Sequence, residues 1–376
     1  MIYLDYSSTT PVDKEVLNYY VEITNKYIGN VNSIHQMGLK SKEIYENSIF
    51  EISECLNCLP SEIIITSGAS ESNALAFFGV LLKQNNNSDL HIVTSKLEHK
   101  SILDLVSYLK LKNVKINYVK IKRNGQIDVD DLERLINDKT ILVSICGVNS
   151  ETGFMQDLEK INKIIKRKNV NTLFHSDLTQ GLGKTSIDLQ NVDLATFSSH
   201  KIYAPKGCGI LYKKRNIELD KMIYGTNSMY RNRGGTPALP LVAAFSLAIK
   251  NAINNLDNNI NKVNELNKYL VSKLLKYDIK INSNELCVPH ILNFSVLKMN
   301  SKEFIEKMSK NDICVSSTSA CTETLGYSPL LYEIYNGNKD ISTSSIRVSL
   351  SHYTTKEELD KFIDVFDKII NKKGGN

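Results

Sequence analysis

Residues 172–201, TLFHSDLTQGLGKTSIDLQNVDLATFSSHK, constrain the fold of this chain more than any other stretch. Two apolar β-like runs, 172–176 and 194–198, each end in polar residues, where a short parallel strand would hand over to a loop. The first delivers Asp177 and Gln180, and the second delivers Ser198, His200 and Lys201. In open α/β sheets, ligands bind outside the carboxyl ends of the strands, so two neighbouring strands would aim an acid and an amine into one crevice. An amine that can form a Schiff base, beside a carboxylate that can hold a ring nitrogen protonated, suits pyridoxal phosphate. The same residue types are common as solvated loop charges, and spacing alone leaves both readings open.

The chain before this stretch alternates short apolar runs with helical patterns. The run 62–66 (EIIIT) meets the small-residue turn Ser67-Gly68-Ala69-Ser70 and then a helix. Its free first-turn amides would make an anion pocket, or Ser70 would simply cap it. The run 90–94 ends near His99, a residue that could stack on an aromatic cofactor or carry a proton. The run 141–148 opens onto Asn149, and a basic, glycine-rich loop spans 231–237. Such alternation predicts a mostly parallel sheet covered on both faces, with 207–212 added antiparallel. From about residue 258 the pattern changes to a smaller α+β unit. The predicted division is a large unit, 12–256, and a small one, 257–376 with 1–11, joined near the Asn-rich 254–261.

The 376 residues carry 46 basic and 41 acidic side chains, net +5, scattered without a basic block, so neither nucleic acid nor a membrane surface is an expected partner. No apolar run reaches membrane-spanning length and the first residues lack a signal-type core, so a cytoplasmic setting is expected. Seven cysteines, an odd number without a framework, argue against structural disulfides. Cys55 and Cys58 form a C-x-x-C inside a helical pattern with no second pair, which reads as packing thiols and not a metal site. Cys146, Cys208, Cys287 and Cys314 lie in or beside apolar runs. Cys321 differs: it lies in the polar segment 315–345, too long for a mere connection, where a thiol could meet a substrate. Arg347 follows on a strand, and an arginine there calls for a partner such as a substrate carboxylate.

The motifs Ser67–Asn73, Glu98-His99, Val148–Gly153, Asp177–Gln180, Ser198–Lys201, Arg233–Thr236, Ser317–Cys321 and Ser345–Arg347 resemble, in order and spacing, the pyridoxal-phosphate cysteine desulfurases of the class V aminotransferase group. The resemblance runs from Tyr3 to the last helix. It implies a fold-type I large domain with a mostly parallel mixed sheet, a smaller C-terminal α+β domain, and a homodimer. By the same resemblance Lys201 is the Schiff-base lysine, Asp177 the partner of the pyridinium nitrogen and His99 the residue stacked on the ring. Asn149 and Gln180 would address the ring hydroxyl. Ala69, Ser70, Ser198, Ser199 and His200 would surround the phosphate, with Thr236 from a second subunit. Arg347, Asn149 and Asn32 would address L-cysteine, and Cys321 would take its sulfur as a persulfide for a protein acceptor.

The sequence departs from the family pattern at Asn30-Val31-Asn32-Ser33, at Ser150, and at Gly225–Met229, which lacks the family's Gln and Glu. The last departure suggests a desulfurase tuned for a particular acceptor or activator. The chain ends soon after its last helix, so an extension for docking a scaffold is expected to be short or missing. A selenocysteine lyase or aminotransferase of the same fold, and a non-enzymatic scaffold, are the competing readings.

Overall fold

The computed structural model describes residues 1–84, 89–225, 232–297, 299–317 and 326–371. In chain order the first half runs β1 (Ile2–Tyr3), α1 (Lys14–Lys26), α2 (Gln36–Leu56), β2 (Ile63–Thr66), α3 (Ala69–Leu82), β3 (His91–Thr94), α4 (Lys100–Leu111), β4 (Lys115–Tyr118), α5 (Val129–Leu135), β5 (Thr140–Ser144), α6 (Leu158–Lys168), β6 (Leu173–Asp177), β7 (Leu194–Ser198) and β8 (Gly209–Lys213). The second half runs α7 (Leu239–Asn254), α8 (Leu256–Leu274), β9 (Lys280–Ile281), β10 (Ile291–Ser295), α9 (Ser301–Ser309), β11 (Ile313–Cys314), α10 (Pro329–Ile334), α11 (Lys339–Thr343), β12 (Ser345–Ser349) and α12 (Lys356–Asn371).

Seven strands form one sheet in the order β2-β8-β7-β6-β5-β3-β4, in which only β8 runs antiparallel to its neighbours. The expected α/β class holds, and so does the antiparallel addition after Lys201. Strands β6 and β7 are adjacent and parallel, with Asp177 opposite Thr196, so both hand over to loops at the same edge. The sheet is covered on both faces, and its central strands are almost wholly buried, so the polar side chains they carry pair with one another, as His175 does with Ser144 and Thr196. Phe174 and Phe197 are fully buried on β6 and β7, each contributing about 1.5–3 kcal/mol by leaving water.

A second apolar core, distinct from those around the large sheet, gathers Leu4, Val263, Leu270, Phe294, Phe304, Ile346, Phe362 and Phe366. It lies between α8, α9 and α12 and the three-stranded sheet β12-β10-β9. The N-terminal β1 pairs with β11, and Asp5 bridges to Ser349.

Two predicted readings shift. The run 141–148 ends as a strand at Ser144, because the Cys146 amide turns away to donate to Glu98 at 2.8 Å. The long segment 315–345 contains α10 and α11, and Leu330 and Ile334 of α10 pack into the core of the large sheet. Cys55 and Cys58 are half-buried at the end of α2, packed against that same core.

Candidate active site

Strand ends bring the chemistry together. At the carboxyl edge of the sheet, the segments after β2, β3, β5, β6 and β7 and the one entering β8 wall a cavity of about 470 Å³. Lys201, Asp177, His99, Gln180, Ser198, His200, Ala69, Ser70 and Arg347 all line it. The acid and the amine expected to share a crevice do share one.

Each side chain is held by a local cause. Asp177 ends β6, and its Oδ2 accepts from Asn73 Nδ2 at 2.9 Å while its Oδ1 accepts from the Thr179 amide at 3.0 Å. Lys201 closes a short 3₁₀ turn after β7, and its Nζ donates to the carbonyls of Ser7 and Ser8, both at 2.6 Å. His99 caps α4, its Nδ1 accepting from the Ser101 amide at 3.2 Å, so its Nε2 is the nitrogen left for the cavity. Burial pulls the His99 pKa down; Asp177 opposes that pull and Lys201 adds to it, so the imidazole senses both charges. His200 is held lower still, at about 4, by burial and then by Lys201, Lys206 and Lys184.

The turn before α3 fits an anion. Gly68 caps the helix with no side-chain hydrogen bond, at a φ of 156°, and a Cβ there would meet nothing within 4 Å. The first-turn amides therefore open onto the cavity with the positive end of the helix behind them, and Ser70 is not the cap. Lys206, on the segment entering β8, adds a charge to the same cavity.

Arg347 lies on β12 with 1% of its surface exposed. Its Nη1 donates to the Ser150 carbonyl at 2.9 Å, and its Nη2 donates to Asp5 Oδ1 at 2.8 Å and Ser8 Oγ at 2.7 Å. Its Nε is buried and has no acceptor among the described residues.

Asn149, Ser199 and Asn32 do not line this cavity, and neither does Thr236, which is expected to serve the cofactor of a second subunit. The Asn149 amide joins two loops: Nδ2 donates to Leu97 O, in the segment after β3, at 2.8 Å, and Oδ1 accepts from the Glu151 and Thr152 amides and the Thr152 hydroxyl of its own turn. Ser199 is fully buried and donates to Pro205 O. Asn32 and Thr236 are exposed elsewhere. Cys321 lies outside the described residues, as do 226–229 of the altered segment and Arg231 of the basic loop. The strand position leading to Cys321 is described: Ser316 pairs with Arg347 in an antiparallel bridge.

A family model described as aminotransferase class-V matches residues 2–362. The chain belongs to that family. It is 37% identical over 383 residues to a cysteine desulfurase IscS of Buchnera aphidicola subsp. Baizongia pistaciae, covering 99% of this chain and 93% of that one. A solved NifS-like protein superposes with a TM-score of 0.93 at 30% identity, covering 99% of both chains. A second solved structure, SspA in complex with cysteine, gives 0.83 at 28% identity over 94% of this chain and 100% of that one. The architecture is fold-type I.

Several residues of the class-V site escape sequence reasoning. Asp5, Ser7 and Ser8 lie in an N-terminal turn that reads as a mere run of hydroxyls, and two of them act through backbone carbonyls. Asn73 reaches Asp177 from the second turn of α3. Its only signal is an amide at the head of the apolar run that fills the rest of α3. Glu98, buried with its Oε1 accepting from Ser95 Oγ and the Cys146 amide, has its carboxyl pushed up to about 8 by burial.

Proposed function

We propose that this protein is a pyridoxal-phosphate-dependent cysteine desulfurase, which moves the sulfur of L-cysteine onto Cys321 and leaves L-alanine. One observation carries the reading: Lys201, Asp177 and His99 open onto a single cavity whose far wall is an uncapped helix N-terminus. That donor set fits the cofactor. Ala69, Ser70, Ser198 and His200 would hold its phosphate, Asp177 its ring nitrogen, Gln180 its ring oxygen and Lys201 its aldehyde carbon. Bound there, pyridoxal phosphate supplies an electron-withdrawing ring for the amine carbon of a substrate.

The chain's own groups supply the rest. His99, kept neutral by burial, can take a proton at Nε2 and return it. Arg347 offers a buried donor without an acceptor among the described residues, which a substrate carboxylate would satisfy. Ser316 is tied to the backbone of Arg347, a residue lining the cavity, five residues before Cys321, an extended reach of at most about 17 Å. In the transfer, the C–S bond of cysteine breaks and an S–S bond forms on Cys321. The carbon takes up a proton and is reduced while the sulfur pair is oxidised, so no outside oxidant is required. The persulfide then passes to a protein acceptor.

The division into a large unit and a smaller one is part of this proposal, supported by the separate second core. So is a homodimer. Ile28 (73% exposed), Ile34 (92%) and Phe50 (54%) present apolar surface on and before α2, and Thr236 is exposed and does not line the cavity of its own chain. The cytoplasmic setting is supported by the six described cysteines being unpaired. The test is production of alanine and sulfide from L-cysteine with added pyridoxal phosphate. Wild type should turn over, and Lys201→Ala and Cys321→Ser should both abolish sulfide release. Equal release from either variant would refute the assignment.

A further inference from the structure

Lys184 is a lysine with 7% of its surface exposed, four residues after Gln180. Its Nζ donates to Gln180 Oε1 at 2.6 Å. Among the described residues no carboxylate pairs with it, and its charged neighbours are cations, Lys201 and Arg347. Burying an amine in such company is unfavourable, and the single hydrogen bond it makes falls on a residue of the active cavity.

That bond decides which way the Gln180 amide points. A primary amide presents an acceptor oxygen on one side and a two-hydrogen donor on the other, and the neighbours determine which is which. Here the amine of Lys184 faces Oε1 while the carbonyl of Ser7 accepts from Nε2 at 2.9 Å. Turned over, the amide would set its hydrogens against those of Lys184 and its oxygen against the Ser7 carbonyl. One hydrogen of Nε2 is left over, and Gln180 lines the cavity.

We propose that Lys184 is a positioning residue: by holding Gln180 Oε1 it fixes the amide so that a donor, and not an acceptor, faces the ring oxygen of the cofactor. The assignment rests on the cofactor reading given above. It concerns a residue that touches neither cofactor nor substrate, since Lys184 borders a different cavity, behind Lys201.

The test is a double-mutant cycle on the full chain, titrated with pyridoxal phosphate and followed by cofactor absorbance and visible circular dichroism. Lys184→Met should loosen the cofactor about tenfold, the size of one hydrogen bond to a charged group, and change the dichroism of the bound chromophore. In a Gln180→Ala background the same substitution should add nothing. Lys184→Met with wild-type affinity and dichroism, or effects that simply add to those of Gln180→Ala, would overturn the assignment. Should Lys184→Met not accumulate as folded protein, Lys184→Arg retains a donor toward Oε1. Wild-type affinity is then expected, and a loosened cofactor at an unchanged melting temperature overturns it. Failure of the wild-type protein itself to bind the cofactor would instead refute the cofactor reading.

Discussion

Asp5 Oδ1 lies 2.8 Å from Nη2 of Arg347, an ion pair that ties the N-terminal turn to the last strand across 342 residues of sequence. Removing one partner of a buried pair leaves the other charge uncompensated, at about 3–5 kcal/mol. Asp5 is partly exposed, so Asp5→Ala should lower stability by about 3 kcal/mol, read as a shift in denaturant midpoint at constant slope. An unchanged midpoint would show that Ser8 and the Ser150 carbonyl suffice for Arg347.

Asn73 reaches Asp177 from α3 and is the one side chain that donates to that carboxylate among the described residues. A hydrogen bond to a charged group contributes about 1.5–3 kcal/mol. Asn73→Ala should therefore weaken cofactor retention at least about tenfold, measured by dialysis and absorbance. Full retention would mean that the Thr179 amide alone orients Asp177.

Much of this site is legible in the sequence because strand ends announce themselves: a run of apolar residues stops, and the first polar side chain after it faces the ligand edge. Asp177 and Lys201 are found that way. What supports them is not. Lys201, Gln180 and Arg347 are all held by residues 5–8, and the Ser7 and Ser8 carbonyls that receive Lys201 carry no mark of residue type. Asn149 has a duty that its residue type does not announce: its Oδ1 accepts from the Glu151 and Thr152 amides, because a turn leaving a buried strand has backbone amides that need acceptors.

Glu98 gives a pH signature. Its folded-state pKa, about 8, lies above the ordinary 4.5, so the folded protein holds a proton that the unfolded chain releases. Its contribution is present below about 4.5 and is lost as pH rises through about 8. Glu98→Gln mimics the protonated acid, so between pH 5 and 8 the wild type should lose stability relative to the variant. Parallel stability curves across that window would contradict the assignment of a buried neutral acid.

Gly209 begins β8 directly behind the anion turn. A Cβ there would lie 2.6 Å from Gly68 Cα, in the turn that opens α3, and 2.8 Å from Thr66 Oγ1, at the end of β2. Gly209→Ala should displace that turn at a cost of about 1–3 kcal/mol and loosen the cofactor with it. Unaltered phosphate and cofactor affinity would show that the turn yields freely.

The central claim is that one cavity loosens the sulfur of cysteine and that Cys321 collects it. Holoprotein mixed with L-cysteine in the absence of reductant, then digested and weighed, should yield a Cys321 peptide one sulfur atom heavier and an equal amount of alanine. Neither should form in Lys201→Ala. Alanine released while the Cys321 peptide keeps its original mass, or a persulfide formed without Lys201, would contradict the account.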